Sequence, residues 1–288
     1  MMKTIEFVPA GRQHVSDIGR ICYEAFKEVH EGHGFSLDFP TIDFAQQAVG
    51  MLVEREDFYG VVALREGQPV GSNFLFTGDP VAGIGPISVD RSCQGQGVGR
   101  GLMQNVMDHA RCNNFERMRL FQDAFNVASI SLYASLGFEV KEAAALMQGA
   151  PAKDADHSVR PVIESDLSAI EELSIRIYKS SRRNEVAGAV RYRFAAFLRE
   201  QQGRITGYFV PGLFGHGFAE TEEDALALIG EAARRLPPPL ARFFCPLSEA
   251  SLFRRALKAQ CRVIKVMNYM VKGRFEPPEG VWMPSVLR

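Results

Sequence analysis

Three observations predict a mixed α/β chain made of two domains of similar design. Strand-like and amphipathic helical runs alternate from end to end. Residues 85–101, GPISVDRSCQGQGVGRG, set a glycine-dense turn between a strand and a helix. The second half then repeats the order of the first in degraded form. At 288 residues the chain exceeds one typical domain, and two domains of about 140 residues each fit the usual range.

Residues 5–8 read as a first strand, ended at Pro9. Val15, Ile18, Ile21, Cys22, Ala25 and Phe26 mark an amphipathic helix. Residues 30–44 are irregular, aromatic and polar at once, and Thr41 can cap a second helix running to about Val53. Residues 58–64 and 70–76 form two strands joined through Arg65-Glu66-Gly67-Gln68, a hairpin signal. Residues 81–89 form the next strand, interrupted by Gly83, Gly85 and Pro86. Glycine and proline inside a strand predict splaying, which leaves backbone N–H and C=O groups unpaired. Residues 118–121 form the strand on the other side of that gap.

The turn after Val89 is the chemical centre. Glycines let a backbone approach an anion without Cβ atoms in the way, and the N–H groups of a new helix then face that anion. A kinase-type phosphate loop would end in Gly-Lys-Ser/Thr, but Arg100 follows Gly99. The dinucleotide spacing G-x-G-x-x-G fails from Gly95, where the third place is Arg100, and from Gly97, where it is Leu102. The spacing that fits is Q/R-x-x-G-x-G/A, met by Gln94, Gly97 and Gly99. Downstream, residues 126–138 read NVASISLYASLGF. Asn126 is a good N-cap, and Gly137 is placed to end that helix in a left-handed turn.

These two motifs, in this order, resemble the acetyl-CoA loop and the second signature of the GNAT acyltransferase superfamily. The resemblance implies two tandem domains, each a mostly antiparallel sheet with a V-shaped opening flanked by helices. A catalytic domain is expected at 1–145, a linker at 146–157 and a degenerate domain at 158–288. It implies transfer of an acetyl group from acetyl-CoA to a primary amine of a small-molecule or peptide acceptor, by direct attack in a ternary complex. The backbone of Ile87, Ser88 and Val89 would meet the pantetheine arm. Gln94, Gly95, Gln96, Gly97, Val98, Gly99 and Arg100 would cradle the pyrophosphate. Asn126 and Ser129 would line the cofactor from the next helix, and Tyr133 would be the general acid. Residues 30–44 would form one wall of the acceptor site. Glu24, His30, Glu31, His33, Asp38 and Asp123 are candidate bases, none of which the sequence singles out. The alternative is an acetyl-CoA-binding sensor or regulatory module without turnover.

In the second half, Arg160-Pro161 and Ile170 answer Val8-Pro9 and Ile18. Leu198-Arg199-Glu200 and Gly207 answer Leu64-Arg65-Glu66 and Gly71, with two residues apparently inserted in the hairpin turn. Gly215-His216-Gly217 stands in the place of the glycine loop, followed by Thr221, Glu222, Glu223 and Asp224. Carboxylates at that helix start would repel a pyrophosphate, so this copy is not expected to bind CoA in the usual way. His216 is expected to be a hydrogen-bonded structural histidine, or else to line a pocket. The alanine-rich residues 144–155 read as a linker.

Net charge is −1, so no basic field points to nucleic acid or anionic lipid. No apolar run approaches a membrane span, and no signal peptide is evident at the start. The five cysteines form no metal or disulfide spacing, so no metal is expected and a cytoplasmic setting is. Cys93 is expected as an exposed loop thiol. The assembly expected is a monomer or homodimer.

Overall fold

The computed structural model describes residues 4–286, which divide into two compact units. The first holds residues 4–120 and 125–137; the second holds 121–124 and 138–286.

The first repeat runs β1 (Ile5–Pro9), α1 (Val15–Gly32), α2 (Ile42–Glu54), β2 (Phe58–Arg65), β3 (Gln68–Phe76), β4 (Ala82–Ile84), β5 (Ser88–Val89), α3 (Val98–Cys112), β6 (Met118–Asp123), α4 (Val127–Ser135) and β7 (Glu139–Gln148). Thr41 caps α2 as expected, accepting from the Phe44 N–H. β1, β2 and β3 pair antiparallel. β3 then pairs with β4 at its far end and with β5 nearer its start. β4 pairs parallel with β6 only at Ala82↔Met118 and Gly83↔Arg119. Beyond those positions the sheet is open: among the described residues β5 has β3 as its only strand partner. This is the V-shaped opening of the expected fold. α1 and α3 pack on the sheet through Ile18, Ile21, Leu102, Met103 and Val106, all buried.

The second repeat has the same order with one strand, β11, where the first has β4 and β5: β8 (Val159–Pro161), α5 (Leu167–Tyr178), α6 (Arg183–Arg191), β9 (Phe197–Gln201), β10 (Arg204–Phe209), β11 (Gly217–Ala219), α7 (Glu222–Arg235), β12 (Arg242–Pro246), α8 (Ala250–Lys258) and β13 (Arg262–Lys272), followed by an extra strand β14 (Val281–Met283). One sheet of this unit runs β14-β11-β10-β9-β8. In the same unit β7 pairs antiparallel with both β12 and β13. The last strand of the first repeat is therefore built into the second unit.

That placement corrects the reading of 144–148 as linker, while 149–155 lie outside helix and strand. Ala144 and Leu146 enter one buried cluster with Phe244 and Met267. Ala145 and Met147 enter another with Phe243, Leu228 and Leu252. Alternation with both faces covered is the mark of a central strand, and small alanines disguised it.

Two further expectations change. The hairpin has no inserted residues. Arg65 pairs with Gln68 and Gln201 with Arg204, each around a two-residue turn with positive φ. Both hairpins then carry a bulge, just before Gly71 and just before Gly207. The register matches Ala63 with Arg199, so the shared Leu-Arg-Glu letters are out of step by two positions. Cys93 is fully buried rather than exposed. All five cysteines are free thiols. No helix among the described residues is long and apolar enough to cross a membrane.

Candidate active site

The site of the first unit begins at the free edge of β5. Gly71 makes this edge possible, since a Cβ there would stand 2.7 Å from the Ser88 carbonyl and 3.1 Å from Leu102 Cδ1. The chain leaves β5 through a turn whose Asp90 carboxylate accepts from the Ser92 N–H at 2.9 Å and its hydroxyl at 2.6 Å. The Ser92 hydroxyl holds the Asp90 carboxyl below its ordinary range. Gly95 (φ +71) and Gly97 (φ +84) then take the left-handed conformation, with open space where a Cβ would stand. Both conformations favour glycine over any residue with a side chain.

Helix α3 starts directly after Gly97, with no side-chain cap and no acidic residue in its first turn. Its first N–H groups therefore lack the usual protein partner. The cradle fits a phosphate-bearing ligand: bare backbone donors, a positive dipole end and no Cβ in the way. Gln94 and Gln96 do not reach toward it. Gln94 Nε2 donates to the Val89 carbonyl at 3.1 Å, and Gln96 Nε2 to the Ser92 carbonyl at 2.8 Å. Arg100 Nη2 donates to the Ser135 hydroxyl at 2.7 Å and so clasps α3 to α4. Gly99 faces α4, where an added Cβ would stand in ordinary contact with Leu132 Cδ2 at 3.5 Å.

On α4, Asn126 is the N-cap and accepts from the Ser129 N–H at 3.1 Å. The Ser129 hydroxyl donates back to the Asn126 carbonyl at 3.0 Å. Tyr133 follows one turn later and is the only buried residue of α4. Gly137 ends the segment at φ +85.

Residues 26–44 form an aromatic wall. Phe35 stacks on Phe125 at 4.3 Å and 11°. His33 and His30 lie 5.1 and 5.6 Å from the same ring. Phe26 meets Phe39 edge-on at 5.1 Å. Phe125, directly before the Asn126 cap, was not singled out from sequence; an aromatic side chain beside a cap was its only signal.

The candidate bases differ in their freedom. His30 is buried, with Nδ1 donating to the Phe26 carbonyl at 2.7 Å and Nε2 3.4 Å from Asp38 Oδ2. Glu24 pairs with Arg20 at 2.9 Å, and Glu31 with Lys27 at 3.9 Å. In the second unit, Asp123 is held by Lys265 Nζ at 2.7 Å. His33 Nδ1 donates to the Val29 carbonyl at 2.8 Å, and its ring is exposed. In a neutral ring that bond leaves the lone pair on Nε2. Glu24, Lys27, Glu28, Glu31, Asp90 and Arg91 line a cavity of about 470 Å³ against α1, and Glu28 pairs with Arg91 at 3.1 Å. Cys22, beneath Ser88, is inert, since burial pushes its thiol up to about 12.

A half-open sheet, a free strand edge and a bare, acid-free helix start give an α/β domain whose geometry fits a phosphorylated, extended ligand. Residues 20–138 match the acetyltransferase (GNAT) family. That match lies within the first repeat. The mycothiol acetyltransferase of Thermobifida fusca is 37% identical over 68 residues, which is 24% of this chain and 21% of that protein. That of Nocardiopsis dassonvillei is 38% identical over 64 residues, 22% of this chain and 19% of the relative. The shared stretch thus spans about a fifth of these curated relatives. Among solved structures, a candidate acetyltransferase of Pyrococcus horikoshii aligns with a TM-score of 0.78 at 15% identity, covering 98% of this chain and 95% of that one. A tandem GNAT protein from the clavulanic acid biosynthesis pathway aligns with a TM-score of 0.58 at 13% identity, covering 94% and 98%.

Proposed function

We propose that the chain moves an acetyl group from acetyl-CoA to a primary amine, with the chemistry in residues 1–145 and the second repeat, 158–288, as a non-catalytic partner beyond the 146–157 junction. The observation that carries this reading is the uncapped, acid-free start of α3 behind two left-handed glycines at the end of a free-edged strand. Acetyl-CoA supplies an activated thioester when bound. The N–H groups of residues 95–100 hold its pyrophosphate. The outer edge of β5 takes the amide-bearing pantetheine arm as an added strand would be taken. Backbone N–H groups near Val89 orient the thioester carbonyl and stabilise charge that develops on it.

Tyr133 is the general acid in this reading, because its phenol can give a proton to the departing thiolate. His33 is the side chain best suited to accept the amine's proton, since its exposed Nε2 keeps a lone pair. The acceptor reaches the site along the aromatic wall as a small molecule.

The test is Tyr133→Phe. Loss of the acid should lower kcat by about 10²-fold or more, while calorimetry returns an unchanged acetyl-CoA Kd. Wild-type turnover in the variant removes Tyr133 from the chemistry. Acetyl-CoA binding without turnover of any amine would instead support the sensor reading.

A further inference from the structure

The two repeats can be superposed by register rather than by letters. Gly71 and Gly207 each follow a bulge three residues into the second strand of a hairpin. Gly71 pairs with Val89 and Ser72 with Ser88. Gly207 pairs with Ala219 and Tyr208 with Phe218. β11 is thus the counterpart of β5, and each is followed by its helix, α3 or α7.

The outer edge of the two strands differs. β5 has no second strand partner among the described residues. β11 has one: β14 pairs antiparallel with it at Gly217↔Met283, Phe218↔Trp282 and Ala219↔Val281. β14 also packs against β12, the counterpart of β6. It therefore stands between the two strands that diverge in the first repeat.

The fit is close. Val281, Trp282 and Met283 are all buried. Met283 fills the space over Gly217, where a Cβ would come within 2.7 Å of its Cε. Trp282 meets Tyr269 edge-on at 5.3 Å and stacks near Tyr178 at 6.3 Å. The approach is pinned by the Glu279 N–H donating to the Ile177 carbonyl at 2.8 Å. Gly280 (φ +111) passes close to the Ala219 carbonyl. Beyond the strand, the Ser285 hydroxyl donates to the Phe214 carbonyl at 3.2 Å.

We infer that the second repeat keeps the slot for an extended, amide-bearing ligand and that β14 occupies it in cis. The C-terminal strand lies where, on the reading proposed above, the pantetheine arm lies in the first repeat. The slot is a peptide-binding groove whose ligand is the chain's own residues 281–283. The second repeat is closed to acyl-CoA by this occupant as well as by its acidic helix start, so the chain takes one acyl-CoA.

Two measurements on the full-length protein test this. Hydrogen exchange should protect 281–283 and 217–219 together. Trp282→Ala should raise exchange at 217–219 by about tenfold or more, leave acetyl-CoA affinity unchanged, and be countered by a synthetic peptide of residues 276–288 added in trans. Wild-type protection at 217–219 in the variant, or no response to the peptide, overturns the inference. Titration of the intact chain with acetyl-CoA should give one site. Two sites overturn the inference. No site overturns the proposed function instead, while the exchange result still decides the place of β14.

Discussion

The two strand-to-helix turns of this molecule solve one problem in opposite ways. From Val89 to the start of α3 the chain runs through residues 90–97, with two left-handed glycines and no cap. From Ala219 to the start of α7 it uses Glu220 and Thr221 alone. There the Thr221 hydroxyl accepts from the Asp224 N–H, and Glu222, Glu223 and Asp224 fill the first turn. Asp224 is buried and accepts from Arg199 at 3.1 Å and Thr206 at 2.8 Å. The second helix satisfies its own N-terminus and gains stability. The first has no side-chain cap on its N–H groups, which leaves them open to solvent or to an anion. On the proposed reading, the binding site is a helix start that the protein leaves without a cap.

Substituting glycines on the two sides should break the comparison most sharply. Gly97→Val puts a β-branched residue at φ +84 and a side chain into the cradle. Acetyl-CoA affinity should fall by about 10²-fold, or ~3 kcal/mol, with a far smaller change in melting temperature. Gly217→Val, on the other side, places a Cβ 2.6 Å from the Tyr208 carbonyl. It should cost ~1–3 kcal/mol of stability and leave the acetyl-CoA Kd alone. Calorimetry and thermal melts read both. Equal affinity losses would mean that the glycine loop has no special part in binding.

What the sequence disclosed follows the same division. Gly95, Gly97, Asn126 and Gly137 were legible because a positive φ or a helix cap admits few residue types. The hairpins and α2 were legible from turn and cap chemistry. The register of the second hairpin was not, because strand pairing is set by bulges and buried faces rather than by shared letters. Gly215 and Gly217 precede and open β11 rather than replace the loop, which is deleted. β7 was hidden by alanines that pack on both faces. β14 offered three apolar residues with no period to read, so the occupant of the second slot emerged only from pairing.

Charge separates the units next. In the second unit the Glu231 side chain is fully buried, with Arg234 at 2.8 Å and Arg235 at 2.7 Å. The Arg234 hydrogen bond first, and then that of Arg235, holds its carboxyl at about 2, against an ordinary 4.5. Asp166 is likewise depressed by Arg160. A depressed folded value contributes stability that is full above the unfolded value and is lost as pH falls through the folded one. The loss should therefore run from about pH 4.5 down to about 2. For Glu231 it amounts to ~3 kcal/mol. Trp282, the chain's single tryptophan, reports on this unit by fluorescence. Urea melts at pH 7 and pH 3 should diverge in the wild type and diverge less in Glu231→Gln, where Asp166 still contributes. Convergence in both would show that these pairs add no net stability.

The smallest contrast is between the two caps. Thr221→Ala removes the acceptor for the Asp224 N–H, and Asn126→Ala removes the acceptor for the Ser129 N–H. Each should cost ~1 kcal/mol of stability. If α7 is only a structural helix, Thr221→Ala should stop there and leave acetyl-CoA binding at its wild-type value. Asn126 stands at the head of the helix that carries Tyr133. Its loss should therefore also weaken acetyl-CoA binding several-fold, and it should lower kcat as Tyr133 shifts. The informative ratio is affinity lost per unit of stability lost, measured on the same preparations. A ratio near zero for both variants would mean that the α4 cap only supports a helix, and that the first repeat binds through its glycine loop alone.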